Sequence, residues 1–254
     1  MTKQTVYDYG FYQDQVSGSL QSAREVIPVV LSLIKPRNVV DVGCGMGTWL
    51  SAFREQGIED VVGLDGEYVD RNNLLIPSDR FIPHDLTTDV DLKRTFDLVM
   101  SLEVAEHLSE EFAGGFVKAL VSLGKTVLFS AAIPGQGGTH HVNEQWPEYW
   151  RALFAEHGYV PVDCLRRKLW NNRKVQVCYR QNIFFYVEKE YLQNSPSLLK
   201  EQARDDGQPF SLVHPDMLQE CLNRPPTLRP LVQWLPHALS EAFKQRWLKL
   251  RDNH

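Results

Sequence analysis

Two adjacent histidines, His140 and His141, are the clearest candidates in the sequence for moving a proton. The ordinary pKa of imidazole lies close to neutral, so either side chain can act as a general base near physiological pH. They stand in the stretch IPGQGGTHHVNEQWPEYW, whose glycines predict a mobile or sharply turned loop. The loop also carries hydrogen-bonding, ligand and stacking groups, namely Asn143, Glu144 and Trp146. We therefore predict a catalytic loop and expect His141 to be the acting base, with His140 as the alternative.

A second group of reactive side chains, Glu103, Glu106 and His107, forms an E-x-x-E-H sequence directly after an apolar run. On the first turn after a strand, this spacing can direct Glu103 and the pair Glu106 and His107 toward one site. Two carboxylates and an imidazole are ligands that suit Mg²⁺ or Mn²⁺. His107 is also a third candidate for proton transfer.

Three glycines, Gly43, Gly45 and Gly47, follow the apolar residues of the stretch VVDVGCGMGTWL. Glycine adopts backbone angles that other residues resist, and its missing side chain lets a ligand approach the main chain. A dinucleotide fingerprint G-x-G-x-x-G would need glycine at position 48, where this chain has Thr48. Asp41 precedes the first glycine by two positions, where its carboxylate can lie beside a charged ligand or order the turn.

Acidic residues also follow two further apolar runs. Asp65 ends the run VVGLD, 22 residues after Gly43, where a carboxylate can accept both hydroxyls of a ribose. Asp85 follows a third predicted strand and can accept from an exocyclic adenine amine. Because open α/β sheets bind ligands at the carboxyl ends of their strands, we expect these acids, the glycines and Glu103 to share one edge.

The elements that must position these residues alternate between strands and helices. The runs NVVDV, VVGLD, FDLVMSLEV and TVLFSAAIP lack strict alternation, as is typical of parallel strands covered on both faces. Helical segments such as GTWLSAFREQG separate them, which predicts an α/β layered domain. The runs DCLRRKLW and VQVCYRQNIFFYV, separated by NNRK, predict an antiparallel hairpin at the sheet edge. We place the main domain at residues 36–187, after a segment 1–35 and before a helical appendage 188–254.

Composition limits the classes of protein that the chain can represent. Its 254 residues can bury a sizeable core, and the net charge of -5 supplies no overall positive field for nucleic acid. Four separated cysteines without a C-x-x-C pair indicate a reducing compartment and no structural zinc. The polar first residues lack the apolar core of a signal peptide, and no apolar run is long enough to cross a bilayer. We therefore expect a cytoplasmic protein without a membrane partner.

The residues from about Val39 to Val187 resemble the class I S-adenosylmethionine (SAM)-dependent methyltransferases. The resemblance implies a Rossmann-like fold, with a mostly parallel seven-stranded sheet whose last strand is antiparallel. It places DVGCGMG under the methionine part of SAM, Asp65 at the ribose, and Asp85 with Leu86 at the adenine. The cofactor-binding residues that we carry over are Asp41, Gly43, Cys44, Gly45, Gly47, Asp65, Asp85, Leu86, Ser101 and Glu103.

The E-x-x-E-H sequence resembles that of ubiquinone-biosynthesis O-methyltransferases and small-RNA 2′-O-methyltransferases, in which these residues hold a divalent ion near the acceptor hydroxyl. The implied ion is Mg²⁺ or Mn²⁺, and its ligands are Glu103, Glu106 and His107, completed by His141. A metal that binds the acceptor oxygen lowers the pKa of the hydroxyl. In other methyltransferases a similar segment only closes over the cofactor, so this alternative stays open.

Three functions are compatible with these residues. We prefer O-methylation of a small molecule, with a sugar or glycan unit of a secondary metabolite or surface polysaccharide as acceptor, because the histidine loop resembles carbohydrate-associated bacterial methyltransferases. The alternatives are 2′-O-methylation of RNA and a SAM-binding subunit without turnover. Self-association through the C-terminal helices is a further expectation.

Two other segments are each compatible with two roles. Tyr12 or Gln13, in the aromatic start of the chain, can cover the site as a lid, or the segment can simply pack as a helix on the sheet. The basic residues near the predicted hairpin can bind a phosphate or a sugar acid, or remain solvated: Arg166, Arg167, Lys168, Arg173 and Lys174.

Overall fold

A computed structural model describes residues 9–204 and 209–223, with side chains from residue 18 onward. The chain divides into two compact units, Met1–Leu218 and Gln219–His254. Within the described residues, no helix combines the length and the apolar character needed to cross a membrane. The helix-prone stretch predicted at residues 227–254, on which the expected self-association mainly depends, lies outside the described residues, as do the side chains of Tyr12 and Gln13.

The sheet has seven strands in the order β3-β2-β1-β4-β5-β7-β6. Strands β1 to β5 run parallel, β7 is antiparallel to both of its neighbours, and the predicted fold class is confirmed. The strands are β1 Asn38–Val42, β2 Asp60–Asp65, β3 Phe81–Pro83, β4 Leu98–Leu102, β5 Thr126–Ser130, β6 Tyr159–Val162 and β7 Phe184–Glu188.

Helices cover both faces of the sheet, which explains why the central strands are apolar without alternation. One face packs against α1 and α2 and includes Val26, Ile27 and Phe53, whereas the other packs against α3 and α4 and includes Phe116 and Phe154. The helices are α1 Tyr9–Leu33, α2 Thr48–Glu55, α3 Glu110–Leu123, α4 Pro147–Glu156, α5 Leu165–Leu169, α6 Val177–Asn182, α7 Lys189–Gln193, α8 Pro196–Gln202 and α9 Pro215–Asn223.

The predicted hairpin is wrong for most of its length. Its first run contains α5, and its second run begins with α6 before β7. The hairpin partner of β7 is instead β6, in the register Val160 with Val187. Leu165 and Leu169 are buried four positions apart, a helical spacing that the β-prone composition of the run concealed. Tertiary packing therefore overrides the local strand preference here.

Segments after β7 still belong to the packed core. Leu192 of α7 and Leu198 of α8 are buried in the same cluster as α1 and α2. Glu201 of α8 forms an ion pair with Lys168, with Nζ and Oε1 3.1 Å apart. The part of the predicted appendage before Leu218 thus packs on the sheet domain.

Candidate active site

The loops that follow β1 to β5 meet at one edge of the sheet because these strands run parallel. The glycine loop follows β1, Asp65 ends β2, and Asp85 follows β3. Glu103 follows β4, and the histidine loop lies between β5 and α4. The fold therefore brings the sequence-predicted residues to the edge at which open α/β sheets bind ligands.

The glycine loop is held close beneath this edge in backbone conformations that favour glycine. Gly43, Gly45 and Gly47 have φ angles of 88°, 53° and 79°. The N–H groups of Gly43 and Cys44 both donate to the carbonyl oxygen of Leu64, at 2.8 and 3.0 Å. A Cβ on Gly43 would lie 2.7 Å from Val104 Cγ1 and closer still to Cγ2. The loop thus forms a cradle in which Val104 leaves no room for a side chain at position 43.

Asp65 is buried beside this cradle and accepts several hydrogen bonds. The N–H groups of Gly45 and Gly66 each donate to its carboxylate at 2.7 Å, and the hydroxyl of Tyr68 also donates to it. A hydroxyl donor on the Asp65 carboxylate is the contact expected of a ribose. Tyr68, whose ring is exposed, was not identified from the sequence.

Asp41 is buried below the same loop, where its charge has little compensation. Burial and the nearby charge of Asp65 raise the pKa of Asp41 to about 8. Burial, followed by the charges of Asp41 and Asp65, raises the pKa of the Cys44 thiol well above its usual value. Cys44 is therefore a neutral thiol that packs, whereas Asp41 favours a cation in its surroundings.

The remaining predicted cofactor contacts differ in their exposure. Asp85 is exposed and accepts from the backbone N–H and the hydroxyl of Thr87, and these bonds lower the pKa of its carboxyl. Leu86 packs partly against the core face that contains α3. Ser101 in β4 is fully buried, and its hydroxyl has no hydrogen-bond partner in the part of the chain that the structure describes.

Glu103 turns sharply out of β4 and is held by two side-chain amides. Its φ is 55°, in the left-handed region, and its N–H donates to Ser130. Gln136 Nε2 and Asn182 Nδ2 donate to its carboxylate at 2.8 and 3.0 Å. Burial raises the pKa of Glu103, and the hydrogen bonds to Asn182, Gln136 and Ser130 oppose this rise.

Glu106, His107 and His141 form a cluster whose ligand atoms lie within 4.8 Å of one another. The Glu106 side chain is fully buried, and within residues 18–204 and 209–223 no side chain donates a hydrogen bond to its carboxylate. His141 Nε2 lies 4.0 Å from Glu106 Oε1, and the two imidazole centroids are 4.9 Å apart. Burial, and then the charge of Glu103, raise the pKa of Glu106 well above its usual value. The backbone N–H groups of Glu106 and Ala132 oppose this rise only in part. A buried carboxylate without a side-chain donor, facing two imidazoles, fits a bound divalent cation.

The other predicted ligands and bases have different places. Glu103 is not a member of this cluster within residues 18–204 and 209–223, because Gln136 and Asn182 hold its carboxylate. His140 is exposed with a φ of 60°, and its backbone contacts the ring of His107. Burial is the main cause that lowers the pKa of His107, followed by the nearby ring of His141.

Several residues that shape the site were not identified from the sequence. Gln136 and Asn182 have no motif that marks them, and Asn182 lies in a run predicted to be a strand. The sequence offers one signal for Gln136, its place among the glycines of the histidine loop. No local pattern could have indicated that Asn182, 79 positions after Glu103, contacts that carboxylate.

The basic residues near α5 are largely paired within the protein. Arg166 is fully buried and forms an ion pair with Asp163. Arg167 and Lys168 both contact the carboxylate of Glu201, at 3.6 and 3.1 Å. Lys174 lies 3.1 Å from Glu25. These side chains therefore neutralise local acids rather than form an open anion site.

Comparison with known proteins gives one family and many similar structures. A family model described as "Methyltransferase domain" matches residues 12–167. A search of curated proteins finds no match. The magnesium protoporphyrin IX methyltransferase ChlM of Synechocystis PCC 6803, solved with bound SAM, has a TM-score of 0.52 at 19% identity, with 72% of this chain and 86% of that chain covered.

Two other solved structures are similar over comparable lengths. CalS10 of Micromonospora echinaspora, an amino pentose methyltransferase solved with SAM, has a TM-score of 0.51 at 16% identity, with 74% of this chain and all of that chain covered. The methyltransferase domain of the bacterial protein CtHen1-C has a TM-score of 0.50 at 19% identity, with 66% and 98% covered. At these identities the likeness establishes the fold.

Proposed function

Because the chain belongs to the class I SAM-dependent methyltransferase family, we propose that it methylates a hydroxyl group of a small molecule, preferably a sugar or glycan unit. The sugar would belong to a secondary metabolite or a surface polysaccharide. The observation that carries the choice of a hydroxyl is the buried carboxylate of Glu106, which accepts from no side chain among the described residues and faces His107 and His141.

The glycine cradle and its acids fit the cofactor of this family. When bound, SAM would supply a methyl group on a positively charged sulfur, for in-line transfer to an acceptor oxygen while the electron pair of the broken carbon–sulfur bond stays on sulfur. Gly43, Gly45 and Gly47 would leave the backbone open to it, and Asp65 would accept from the ribose hydroxyls. The uncompensated carboxyl of Asp41 would favour the positive charge of SAM. Further contacts would come from Cys44, Asp85, Leu86, Ser101 and Glu103.

The Glu106, His107 and His141 cluster would bind Mg²⁺ or Mn²⁺. Such an ion lowers the pKa of a hydroxyl that it binds. Glu103 would support the cluster from beside it, because its charge acts on both Glu106 and His141. Holding the acceptor in line with the methyl group contributes roughly 7–11 kcal/mol to lowering the barrier.

The proton of the acceptor hydroxyl needs a base at the same place. His141 is the preferred one, because its Nδ1 contacts Glu144 and its Nε2 is directed toward Glu106. Nε2 therefore serves either as a metal ligand or as the proton acceptor. His140 and His107 are the alternative bases, and the metal requirement of the reaction decides which role of His141 applies.

The preference for a sugar is supported by the surface beside His141. Val142 and Trp146 are exposed on the same loop, although both are large apolar side chains. An aromatic ring next to hydrogen-bonding groups can pack against the C–H face of a sugar. CalS10, an amino pentose methyltransferase, shares the fold and so adds support to this choice.

RNA 2′-O-methylation is the second candidate, because the E-x-x-E-H sequence and its downstream histidine form a compact cluster here. The net charge of -5 and the pairing of the basic residues near α5 count against an RNA partner. A subunit without turnover is disfavoured, because it would have no need for a buried carboxylate without a side-chain donor beside two imidazoles.

The test is transfer of a labelled methyl group from SAM to a panel of sugar nucleotides, glycosides, catechols and short RNAs. Each reaction is run with Mg²⁺, with Mn²⁺ and with a chelator. We expect a carbohydrate product whose formation depends on metal and is lost in Glu106→Gln. The matched control, Glu111→Gln, changes an exposed glutamate of α3 and keeps activity. Turnover that ignores the chelator would exclude the metal role, and turnover of RNA alone would exclude the sugar.

A further inference from the structure

We propose that Glu144 is a positioning residue that keeps the proton of His141 on Nδ1 and leaves Nε2 as the free acceptor toward Glu106. The catalytic consequence rests on the function proposed above, whereas the placement of the proton is a property of the protein alone. Among the described residues, the Glu144 carboxylate is the side-chain group within hydrogen-bond distance of the His141 ring, whereas Glu106 Oε1 lies 4.0 Å from Nε2.

Glu144 joins three donors of the histidine loop. Its Oε1 lies 2.9 Å from His141 Nδ1 and accepts from the Gly137 N–H at 2.5 Å, and its Oε2 accepts from the Gly135 N–H at 2.8 Å. The side chain of Glu144 is only 19% exposed. A carboxylate can only accept hydrogen bonds, so the ring nitrogen that contacts it must carry the proton in neutral imidazole.

The opposite side of the loop is fastened to the residue that His141 faces. The N–H groups of Val142 and Asn143 both donate to the backbone oxygen of Glu106, at 2.9 and 3.0 Å. This anchoring brings His141 Nε2 to 4.0 Å from Glu106 Oε1. The His141 ring therefore contacts the side chain of Glu144, and the two residues that follow His141 are anchored to the backbone of Glu106.

Gly138 supplies the space that this arrangement needs. A Cβ at position 138 would lie 2.5 Å from His141 Cε1 and 2.7 Å from Cδ2, and closer still to Nε2. Its backbone is outside the left-handed region, so the demand for glycine here is one of space rather than of conformation. Any side chain at this position would overlap the imidazole and displace it from its present position.

A carboxylate that orients a histidine in this way affects what the other ring nitrogen can do. Partners of metal-binding histidines fix the tautomer and ring orientation, and their loss lowers metal affinity about 10–100-fold. If Glu144 only stabilised the loop, its loss would alter the stability of the loop without changing which nitrogen of His141 carries the proton.

The first measurement uses the wild-type protein alone. Long-range ¹H–¹⁵N correlation of ¹⁵N-histidine-labelled protein, at about pH 8 where histidine is mostly neutral, reports the tautomer of His141. We expect the proton on Nδ1, and a proton predominantly on Nε2 would overturn the proposal. This result requires no metal, no cofactor and no folded variant.

The second measurement compares variants by the same spectrum and by Mn²⁺ titration followed by electron paramagnetic resonance. Glu144→Gln should mix the two tautomers and weaken Mn²⁺ binding about 10–100-fold. Gly138→Ala should also weaken Mn²⁺ binding, because the new Cβ overlaps the His141 ring although the carboxylate of Glu144 is retained. Glu156→Gln, at an exposed position of α4, is the matched control and should change neither.

The possible failures are distinguishable. A wild-type protein that binds no Mn²⁺ contradicts the metal site of the proposed function, and the tautomer alone then decides the role of Glu144. If Glu144→Gln keeps the wild-type tautomer and Mn²⁺ affinity, Glu144 only stabilises the loop and the proposal is wrong. Thermal unfolding of each variant identifies any that fail to fold, in which case the wild-type spectrum remains decisive.

Discussion

Gly43→Ala and Gly45→Ala separate two reasons for the glycines of the cofactor loop. Both residues have positive φ angles, of 88° and 53°, so alanine at either position costs about 1–2 kcal/mol in backbone strain. The two positions differ in their surroundings. A Cβ on Gly45 meets no atom within 4 Å, whereas one on Gly43 overlaps both methyl groups of Val104.

At position 43, the overlap with Val104 adds a second contribution to the loss of stability. Overpacking of this kind costs about 1–3 kcal/mol, so we expect Gly43→Ala to lower the free energy of unfolding by about 2–5 kcal/mol in total. Gly45→Ala should lower it by only the strain term. In a chain of this size, each kcal/mol corresponds to a fall of about 2–4 °C in the midpoint of thermal unfolding.

Urea unfolding without ligand measures these differences, and a double-mutant cycle assigns the overlap. Val104→Ala removes the methyl groups that the new Cβ would meet, so it should restore about 1–3 kcal/mol to Gly43→Ala. Equal losses for the two glycine variants, or no coupling between positions 43 and 104, would refute the explanation from Val104 packing.

Three other perturbations test separate parts of the site. Because the pKa of Asp41 is raised to about 8, the folded chain holds a proton that the unfolded chain releases above about pH 4. Wild-type stability should therefore fall between these pH values, by at most about 1.4 kcal/mol per pH unit, and urea unfolding of Asp41→Asn should lack this slope. Tyr68→Phe removes a hydroxyl that occupies the Asp65 carboxylate, so calorimetry should show SAM affinity rising by up to about tenfold. Unchanged affinity would mean that Tyr68 does not compete with SAM. Mn²⁺ at about 100 times its dissociation constant should stabilise the wild-type protein by about 2.7 kcal/mol, and in thermal unfolding Glu106→Gln should lose this gain. Equal stabilisation of both proteins would exclude Glu106 as a ligand.

The sequence predicted the central strands well because their surroundings are simple. Strands β1, β2, β4 and β5 are buried on both faces, so apolar composition alone identifies them. The strand prediction for the region of α5 and α6 was wrong because the buried polar residues of this region contact partners that are far away in the chain. Arg180 pairs with Asp216, and Gln181 donates to the carbonyl oxygen of Leu212. A local pattern cannot contain such contacts.

The same distinction applies to the site. Glu106 and His107 were predictable because they are adjacent on one turn, and His141 because parallel strands bring successive loops together. The separate position of Glu103 was not, because it depends on a left-handed backbone and on Asn182 of α6. Short spacing thus identified Glu106 and His107 but not the separate position of Glu103, whereas sheet topology accounted for the place of His141.

Uncompensated negative charge connects the cofactor cradle with the proposed metal cluster. Asp41 and Glu106 are buried, Glu103 is partly buried, and burial raises the pKa of all three carboxyl groups. In the protein without ligands, protons must offset this charge, since no lysine or arginine among the described residues pairs with Asp41 or Glu106, and His141 Nε2 lies 4.0 Å from Glu106. A sulfonium beside Asp41 or a divalent ion beside Glu106 would take over that role. Binding of each ligand should consequently release protons, and the two binding events should be linked through the charges that they neutralise.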